Sequence, residues 1–322
     1  MRALKLLVMA NPTASYLRLL DQIAEPVDIQ VGNDLEFLKS HAPNADVLLN
    51  AGPEGNLLQS AFPFAKKVQW VHTLSAGVDK VLFPELIESP VPLTNGRGAF
   101  KDSLAEFALA SMLFFAKDLR RLVKNQEAGR WEQFDVLFLR GQTLGIVGYG
   151  EIGRETARLA AALGMKVVAI RRRGASRADD SGATQLYPLE QLRGMLSVCD
   201  YVLIATPLTP ETKGMIGEAE LRAMKNSAVI VNVGRGPVIV EAALIEALEQ
   251  RRIRGAVLDV FDQEPLPAGH PYYRLDNVLL SPHAADHTVG WEQLSMQIFL
   301  GNFDRFRNGQ PLTNMVDKKA GY

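Results

Sequence analysis

The sequence predicts an α/β protein built as two doubly wound parallel sheets, and three observations predict it. Short β-rich runs alternate with helix-patterned stretches over residues 4–73. A second alternating series begins at Thr143. At the head of that series Gly148, Gly150 and Gly153 stand at G-x-G-x-x-G spacing between an apolar run and a helical pattern. Parallel strands need a crossover between neighbours, usually a helix, so strand and helix signals alternate along the chain.

In order, strand patterns fall at residues 4–9, 27–31, 46–50 and 68–73, with helical patterns at 14–24 and 35–40. The opening run Met-Arg-Ala-Leu-Lys-Leu-Leu-Val-Met-Ala stops at Asn11-Pro12, which makes it a first strand rather than a secretion signal. Gly52-Pro53, Gly55, Pro63, Pro84, Pro90 and Pro92 punctuate the loops. Around Thr94-Asn-Gly-Arg-Gly98 the strand pattern ends, and residues 102–127, rich in Ala, Leu and Phe, read as one long helix beyond a domain boundary. Six strand candidates follow, at 144–148, 166–170, 201–205, 228–233, 255–260 and 278–281, the number of a full dinucleotide-binding sheet. Residues 291–308 form a closing helix with Leu294, Ile298 and Phe299 on its apolar stripe.

The glycines sit in a complete β-α-β unit, closed by Gly164 and a second strand at 166–170. Gly148 permits the tight turn, Gly150 lets backbone approach a pyrophosphate, and Gly153 lets helix pack against strand, while the helix N-terminus offers N–H groups to the anion. In an NAD-binding unit an acidic residue about 20 positions on bonds the adenosine ribose. Here that place holds Arg171, Arg172 and Arg173, and no Asp or Glu occurs between Glu155 and Asp179. A guanidinium at Arg171 or Arg172 has the chemistry to fork onto a 2′-phosphate or to stack on adenine. NADP(H) is therefore the expected cofactor, with NAD as the alternative; solvated surface charge is the duller reading of the arginines.

The chain has 322 residues, enough for two domains, and a net charge of -1, which gives no reason to expect nucleic acid or an anionic membrane as partner. Its single cysteine, Cys199, excludes an intrachain disulfide and a cysteine metal cluster, so it is expected as a buried small side chain and no metal is expected. No stretch approaches the length of a charge-free membrane span, and a soluble cytoplasmic protein is expected.

Three polar residues follow predicted strands: Arg235, Glu264 and His283. Ligands of open α/β sheets collect at the carboxyl ends of the strands, so all three are placed to face one crevice. Reducing a 2-keto acid needs a proton donor at the carbonyl oxygen, a cation for the carboxylate, and a reduced nicotinamide. His283 has the chemistry to donate, Arg235 to hold, and Glu264 to keep the imidazole oriented and charged. Taken singly, each is as well explained as a loop or turn residue.

The wording around them decides. Asn232-Val-Gly-Arg-Gly-Pro237, Leu258-Asp-Val-Phe-Asp-Gln-Glu-Pro265 and Ser281-Pro-His-Ala284, with the glycine block, closely resemble the signature blocks of the D-2-hydroxyacid dehydrogenase family, in its order and spacing. That resemblance, which runs from about residue 68 onward, implies Arg235 as substrate-binding arginine, Glu264 as the partner of the histidine and His283 as acid/base. The expected cofactor set is Gly148, Gly150, Glu151, Ile152, Gly153, Arg171, Arg172, Thr206, Val233 and Asp259; the resemblance implies Asp259 on the nicotinamide carboxamide and Thr206 in the cofactor loop Ala205-Thr-Pro-Leu-Thr-Pro-Glu-Thr-Lys213, while the arginines depart from the family's usual acidic residue. Leu74-Ser-Ala-Gly-Val-Asp79 is similar to the family's substrate loop, so Ser75, Ala76 and Gly77 would offer backbone N–H groups to the substrate carboxylate.

The resemblance further implies a Rossmann dinucleotide-binding domain, 99–289, inserted into a flavodoxin-like substrate domain, 1–98 completed by 290–322. Hinge closure would accompany turnover, and a homodimer would form through 102–127. The arginines point to the NADP-using branch, similar to glyoxylate and hydroxypyruvate reductases. A further departure from the family pattern, Asp286 and His287 after the histidine, leaves the substrate open, with Arg97 and Phe100 as substrate-selecting candidates. Alternative readings are a dehydrogenase of phosphoglycerate or another larger acid, and a non-catalytic NAD(P)-sensing protein similar to corepressors that share the fold.

Overall fold

The structure is a computed structural model that describes residues 3–52, 56–170, 182–183 and 185–322. Arg171, Arg172 and Arg173 lie outside the described residues. The chain forms two compact units, Met1–Ala99 with Val289–Tyr322, and Phe100–Thr288.

The first unit contains β1 (Leu4–Met9), β2 (Val27–Gly32), α1 (Leu35–His41), β3 (Val47–Asn50), α2 (Asn56–Ala61), β4 (Trp70–Thr73), α3 (Pro84–Glu88) and β5 (Leu93–Asn95). The second contains α4 (Lys101–Ala116), α5 (Leu119–Glu127), β6 (Thr143–Val147), α6 (Glu151–Ala162), β7 (Lys166–Ile170), β8 (Gln185–Tyr187), α7 (Leu192–Val198), β9 (Tyr201–Ile204), α8 (Glu218–Ala223), β10 (Val229–Asn232), α9 (Glu241–Glu249), β11 (Gly255–Leu258) and β12 (Val278–Leu280). Helix α10 (Trp291–Arg307) returns to the first unit.

The first sheet runs β2-β1-β3-β4-β5, all parallel, the flavodoxin-like order with its switch point between β1 and β3. Alternate side chains feed two cores. Leu6, Val8, Val47, Leu49 and Trp70 pack on Met296, Phe299 and Phe303 of α10, whereas Leu7, Met9, Leu48 and Val71 pack on the side holding Leu38, Leu58 and Leu86 of α1–α3. Burial on both faces is why these strands read as continuous apolar runs. The Trp70 ring stacks on Phe299 with centroids 5.5 Å apart.

The second sheet runs β12-β11-β10-β9-β6-β7-β8, again parallel. Chain direction reverses across the sheet between β6 and β9, which makes that pair the switch point of a Rossmann sheet with one extra strand at the β12 edge. Cys199 lies buried under it, its Sγ 2.4 Å from where a Cβ on Gly145 would fall, and burial pushes the thiol up to about 12, which leaves it inert.

Three expectations are corrected. Residues 102–127 are two helices, because Asp118 adopts a left-handed conformation at φ 49° and redirects the chain after α4. The break is satisfied from outside: Arg254 Nη2 donates to Phe115 O at 2.6 Å. The segment 14–24 is a 3-10 turn over Ser15–Gln22 rather than an α-helix. The second series has seven strands, not six, since β8 adds three residues beside β7. Among the described residues no helix is long and apolar enough to cross a membrane.

His72, on β4, is 0% exposed; its Nδ1 lies 2.6 Å from Thr94 Oγ1, and burial pushes its pKa down to about 3. The ring is neutral in the fold, whereas the unfolded chain takes up a proton below its ordinary value of 6.5. Between these two values the unfolded state binds more protons, so stability falls as pH falls. Urea unfolding at about pH 7.5 and about pH 5 should show a loss of ~2 kcal/mol from this group, and that part of the pH dependence should vanish in His72→Phe.

Candidate active site

The glycine turn lies at the carboxyl end of β6, at the switch point. Gly148 has φ 102°, and a Cβ on it would stand 2.7 Å from Ala205 C and O and from Thr206 N at the end of β9. A Cβ on Gly153 would stand 2.5 Å from Gly148 O, so α6 approaches the turn as closely as backbone allows. Gly150 differs: nothing among the described residues lies within 4 Å of a Cβ built there. Its bareness serves no packing need of the protein itself, and open space over a helix N-terminus fits a pyrophosphate.

Glu151 and Ile152 open α6, with Glu151 Oε1 held by Arg154 Nη2 at 2.7 Å. Thr206 and Val233 are buried at the ends of β9 and β10, and Gly234 packs its backbone onto Thr206, where a Cβ would meet Thr206 O at 2.7 Å. The residues present therefore fit a dinucleotide along the ends of β6, β9 and β10.

The neighbouring strand ends carry the ionisable groups. After β10, Asn232 shapes the turn: its Oδ1 accepts from Gly234 N at 3.0 Å and its Nδ2 donates to Arg235 O at 3.0 Å. Arg235 is half-buried, and its Nη1 donates to Gly234 O at 2.7 Å. A Cβ on Gly236 would lie 2.0 Å from Phe261 C, so only glycine lets the β10 and β11 loops meet.

After β11, buried Asp259 uses one oxygen, Oδ1, to accept from Ser281 Oγ at 2.6 Å, Ala284 N at 2.9 Å and Ala285 N at 3.1 Å. Those donors flank His283 on both sides, and His283 itself stands at φ 53°. Three bonds to a carboxylate are what hold a non-glycine residue in that left-handed conformation.

So held, His283 Nδ1 lies 2.9 Å from Glu264 Oε2, while Glu264 Oε1 accepts from Phe261 N at 3.1 Å. The hydrogen bond from the imidazole to Glu264 raises the His283 pKa above its ordinary value, against burial and the positive charge of Arg235, which lower it. With Nδ1 engaged, Nε2 is the nitrogen left to exchange a proton with a ligand.

Asp286, three residues on, is held above the usual carboxylate range by burial, and its Oδ1 lies 3.7 Å from His287 Nε2. Phe100 is buried at the start of α4. Sequence reasoning missed Asn232 and Ser281; the motif blocks contain both, but only tertiary contacts give them work.

In the first unit, the loop Leu74–Asp79 leaves the carboxyl end of β4. Ser75 Oγ donates to Gly77 O at 2.9 Å, and the backbone N–H groups of Ser75, Ala76 and Gly77 donate to no described residue. Arg97 N donates to Asn95 Oδ1 at 3.3 Å in the same unit.

The chain is similar to known proteins in sequence and in fold. Residues 109–285 match the family described as D-isomer specific 2-hydroxyacid dehydrogenase, NAD binding domain. The chain is 34% identical over 271 residues to a glyoxylate reductase of Korarchaeum cryptofilum (strain OPF8), covering 80% of this chain and 79% of that protein. It is similar to a solved D-isomer specific 2-hydroxyacid dehydrogenase of Xanthobacter autotrophicus Py2, in complex with NADPH and MES, at 28% identity and a TM-score of 0.84 over 100% of both chains. It is also similar, at 25% identity and a TM-score of 0.85 over 100% of both chains, to an NADPH-dependent glyoxylate/hydroxypyruvate reductase of Sinorhizobium meliloti solved with NADP and sulfate.

The two glycines should separate by stability. Gly148→Ala forces a left-handed alanine into the β9 backbone and should cost more than about 2 kcal/mol. Gly150→Ala enters open space and should unfold at the wild-type temperature while binding dinucleotide weakly. Thermal unfolding with and without NADPH measures both.

Proposed function

This chain belongs to the D-isomer specific 2-hydroxyacid dehydrogenase family, and from that premise we propose that it is an NADPH-preferring reductase of small 2-keto acids, of the glyoxylate or hydroxypyruvate type, that yields D-2-hydroxy acids. The observation that carries the reading is the His283–Glu264 contact of 2.9 Å on the loop tied down by Asp259.

When bound, the reduced nicotinamide supplies the hydride that the carbonyl carbon receives. The protein supplies the rest. His283, its charged form favoured because Glu264 accepts its Nδ1–H, gives a proton from Nε2 to the carbonyl oxygen. A positioned acid of this kind contributes about 10²- to 10⁴-fold. Arg235 holds the substrate carboxylate and draws electron density from the carbonyl. In the first unit, Ser75, Ala76 and Gly77 offer backbone N–H groups suited to a carboxylate. In the reverse direction neutral His283 takes the hydroxyl proton back.

NADPH over NADH is supported by Arg171 and Arg172 in place of the ribose-binding acid, and by the NADPH and NADP held in the two solved relatives. The small-acid substrate class is supported by the glyoxylate reductase name of a relative. A homodimer is supported by apolar side chains on and after α5: Leu122 48%, Val123 54%, Trp131 94% and Phe138 78% exposed. Such a patch marks a contact surface, and Trp131→Glu with Phe138→Glu should turn a dimer into a monomer in light scattering.

Steady-state assays with glyoxylate, hydroxypyruvate, pyruvate and phenylpyruvate, each with NADPH and NADH, test the function. NADPH oxidation should be fastest with glyoxylate and hydroxypyruvate, and His283→Ala should nearly abolish it while NADPH still binds. Because the His283 pKa is raised, reduction should hold steady below that pKa and fall above it, with oxidation showing the opposite limb. No NADPH oxidation with any of the four acids contradicts the assignment.

A further inference from the structure

The loop that offers its N–H groups in the first unit is held by a set of carbonyl bonds. Four successive carbonyls each accept a hydrogen bond. Leu74 O accepts from Ser295 Oγ on α10. Ser75 O accepts from Gly96 N at 3.0 Å. Ala76 O accepts from Asn95 Nδ2 at 2.6 Å, and Gly77 O from Ser75 Oγ at 2.9 Å. Ser295 is 0% and Asn95 5% exposed, so both donors are buried polar groups whose cost is offset by these bonds.

Peptide geometry turns this into a statement about the opposite face. In a trans peptide unit the C=O of one residue and the N–H of the next point in opposite directions. Pinning the carbonyls of 74–77 toward Ser295, Gly96, Asn95 and Ser75 therefore aims the N–H groups of 75–78 the other way. None of those four N–H groups donates to a described residue. Successive N–H groups facing one way are an anion site.

The pinning extends inward along one hydrogen-bond direction. Because Ser75 spends its only hydroxyl proton on Gly77 O, Thr73 must donate to Ser75 Oγ across their 3.0 Å contact, and Thr73 Oγ1 in turn accepts from Asn50 Nδ2 at 3.3 Å. The close fit leaves no slack at the loop's base: a Cβ on Gly96 would stand 2.2 Å from Leu74 O and 2.5 Å from Ser295 Oγ.

We propose that Asn95 and Ser295, with Ser75, are positioning residues that preorganise the Ser75–Val78 N–H groups for the substrate carboxylate by fixing the carbonyls behind them. The inference rests on the reductase reading above and adds the residues that set substrate affinity without touching the substrate's reacting atoms. Preorganised donors bind an anion without reordering at the moment of binding, so loosening them costs affinity rather than proton or hydride transfer.

Asn95→Leu and Ser295→Ala test this in the full-length protein, with glyoxylate as substrate and oxamate as a carboxylate-bearing competitor. Each variant should raise the glyoxylate KM and the oxamate inhibition constant by about 10- to 100-fold, with kcat within about threefold and NADPH affinity unchanged. A merely structural role would lower the unfolding temperature and leave KM in place. If Asn95→Leu does not fold, Ser295→Ala and Ser75→Ala decide. Unchanged KM and inhibition constant in active variants overturn the inference alone, as does a fall in kcat at constant KM. A wild-type protein that reduces no 2-keto acid overturns the reductase reading and the inference with it.

Discussion

One buried carboxylate, that of Asp259, holds the chemistry-bearing edge of the second sheet together. A single oxygen accepts from Ser281 Oγ and from the backbone of Ala284 and Ala285, and so ties the end of β11 to the loop after β12. His283 sits inside that loop at φ 53°, a conformation an unconstrained histidine rarely takes. Without the carboxylate the loop has no reason to bend there, and the imidazole has no fixed distance to Glu264. In this fold Asp259 is thus first a scaffold for the histidine, whatever it also offers a nicotinamide.

The same economy recurs at each strand end. Backbone contacts that only glycine permits bring the loops of β6, β9, β10 and β11 against one another, at Gly148, Gly234 and Gly236. Polar side chains then fix the backbone between them: Asn232 behind Arg235, Asp259 behind His283, and in the other unit Asn95 and Ser295 behind the Ser75–Val78 amides. The groups with chemistry to do are left half-buried, where water is thinned but a ligand has access, and the His283 pKa is set by a contest between Glu264, burial and Arg235.

Much of this was legible in the sequence, for a physical reason. Strands buried on both faces must be apolar throughout, so β1, β7 and β9 to β12 announce themselves, and the glycines of the β6 turn are read from their spacing. What escaped was short or tertiary. β5 and β8 are short and mixed, Leu93-Thr-Asn95 and Gln185-Leu-Tyr187, with no apolar run such as the three residues of β12 carry. The α4–α5 break falls at Lys117-Asp118, where nothing resembles a helix breaker, and exists because Arg254 and the rest of the unit cap the interrupted end. The motif blocks showed which residue types were present, but the bonds that make Asn232, Asp259, Ser281, Asn95 and Ser295 matter join residues distant in sequence or depend on backbone direction, neither of which periodicity encodes.

A loop folded by Asp259 matters only if it delivers His283 as an acid, and the most direct test is the titration of its ring by NMR in histidine-labelled protein, wild type against Glu264→Gln. The account predicts a wild-type midpoint above the ordinary 6.5 and a clearly lower one when the carboxylate is replaced. Equal midpoints in the two proteins, or a wild-type midpoint at or below the ordinary value, would contradict it.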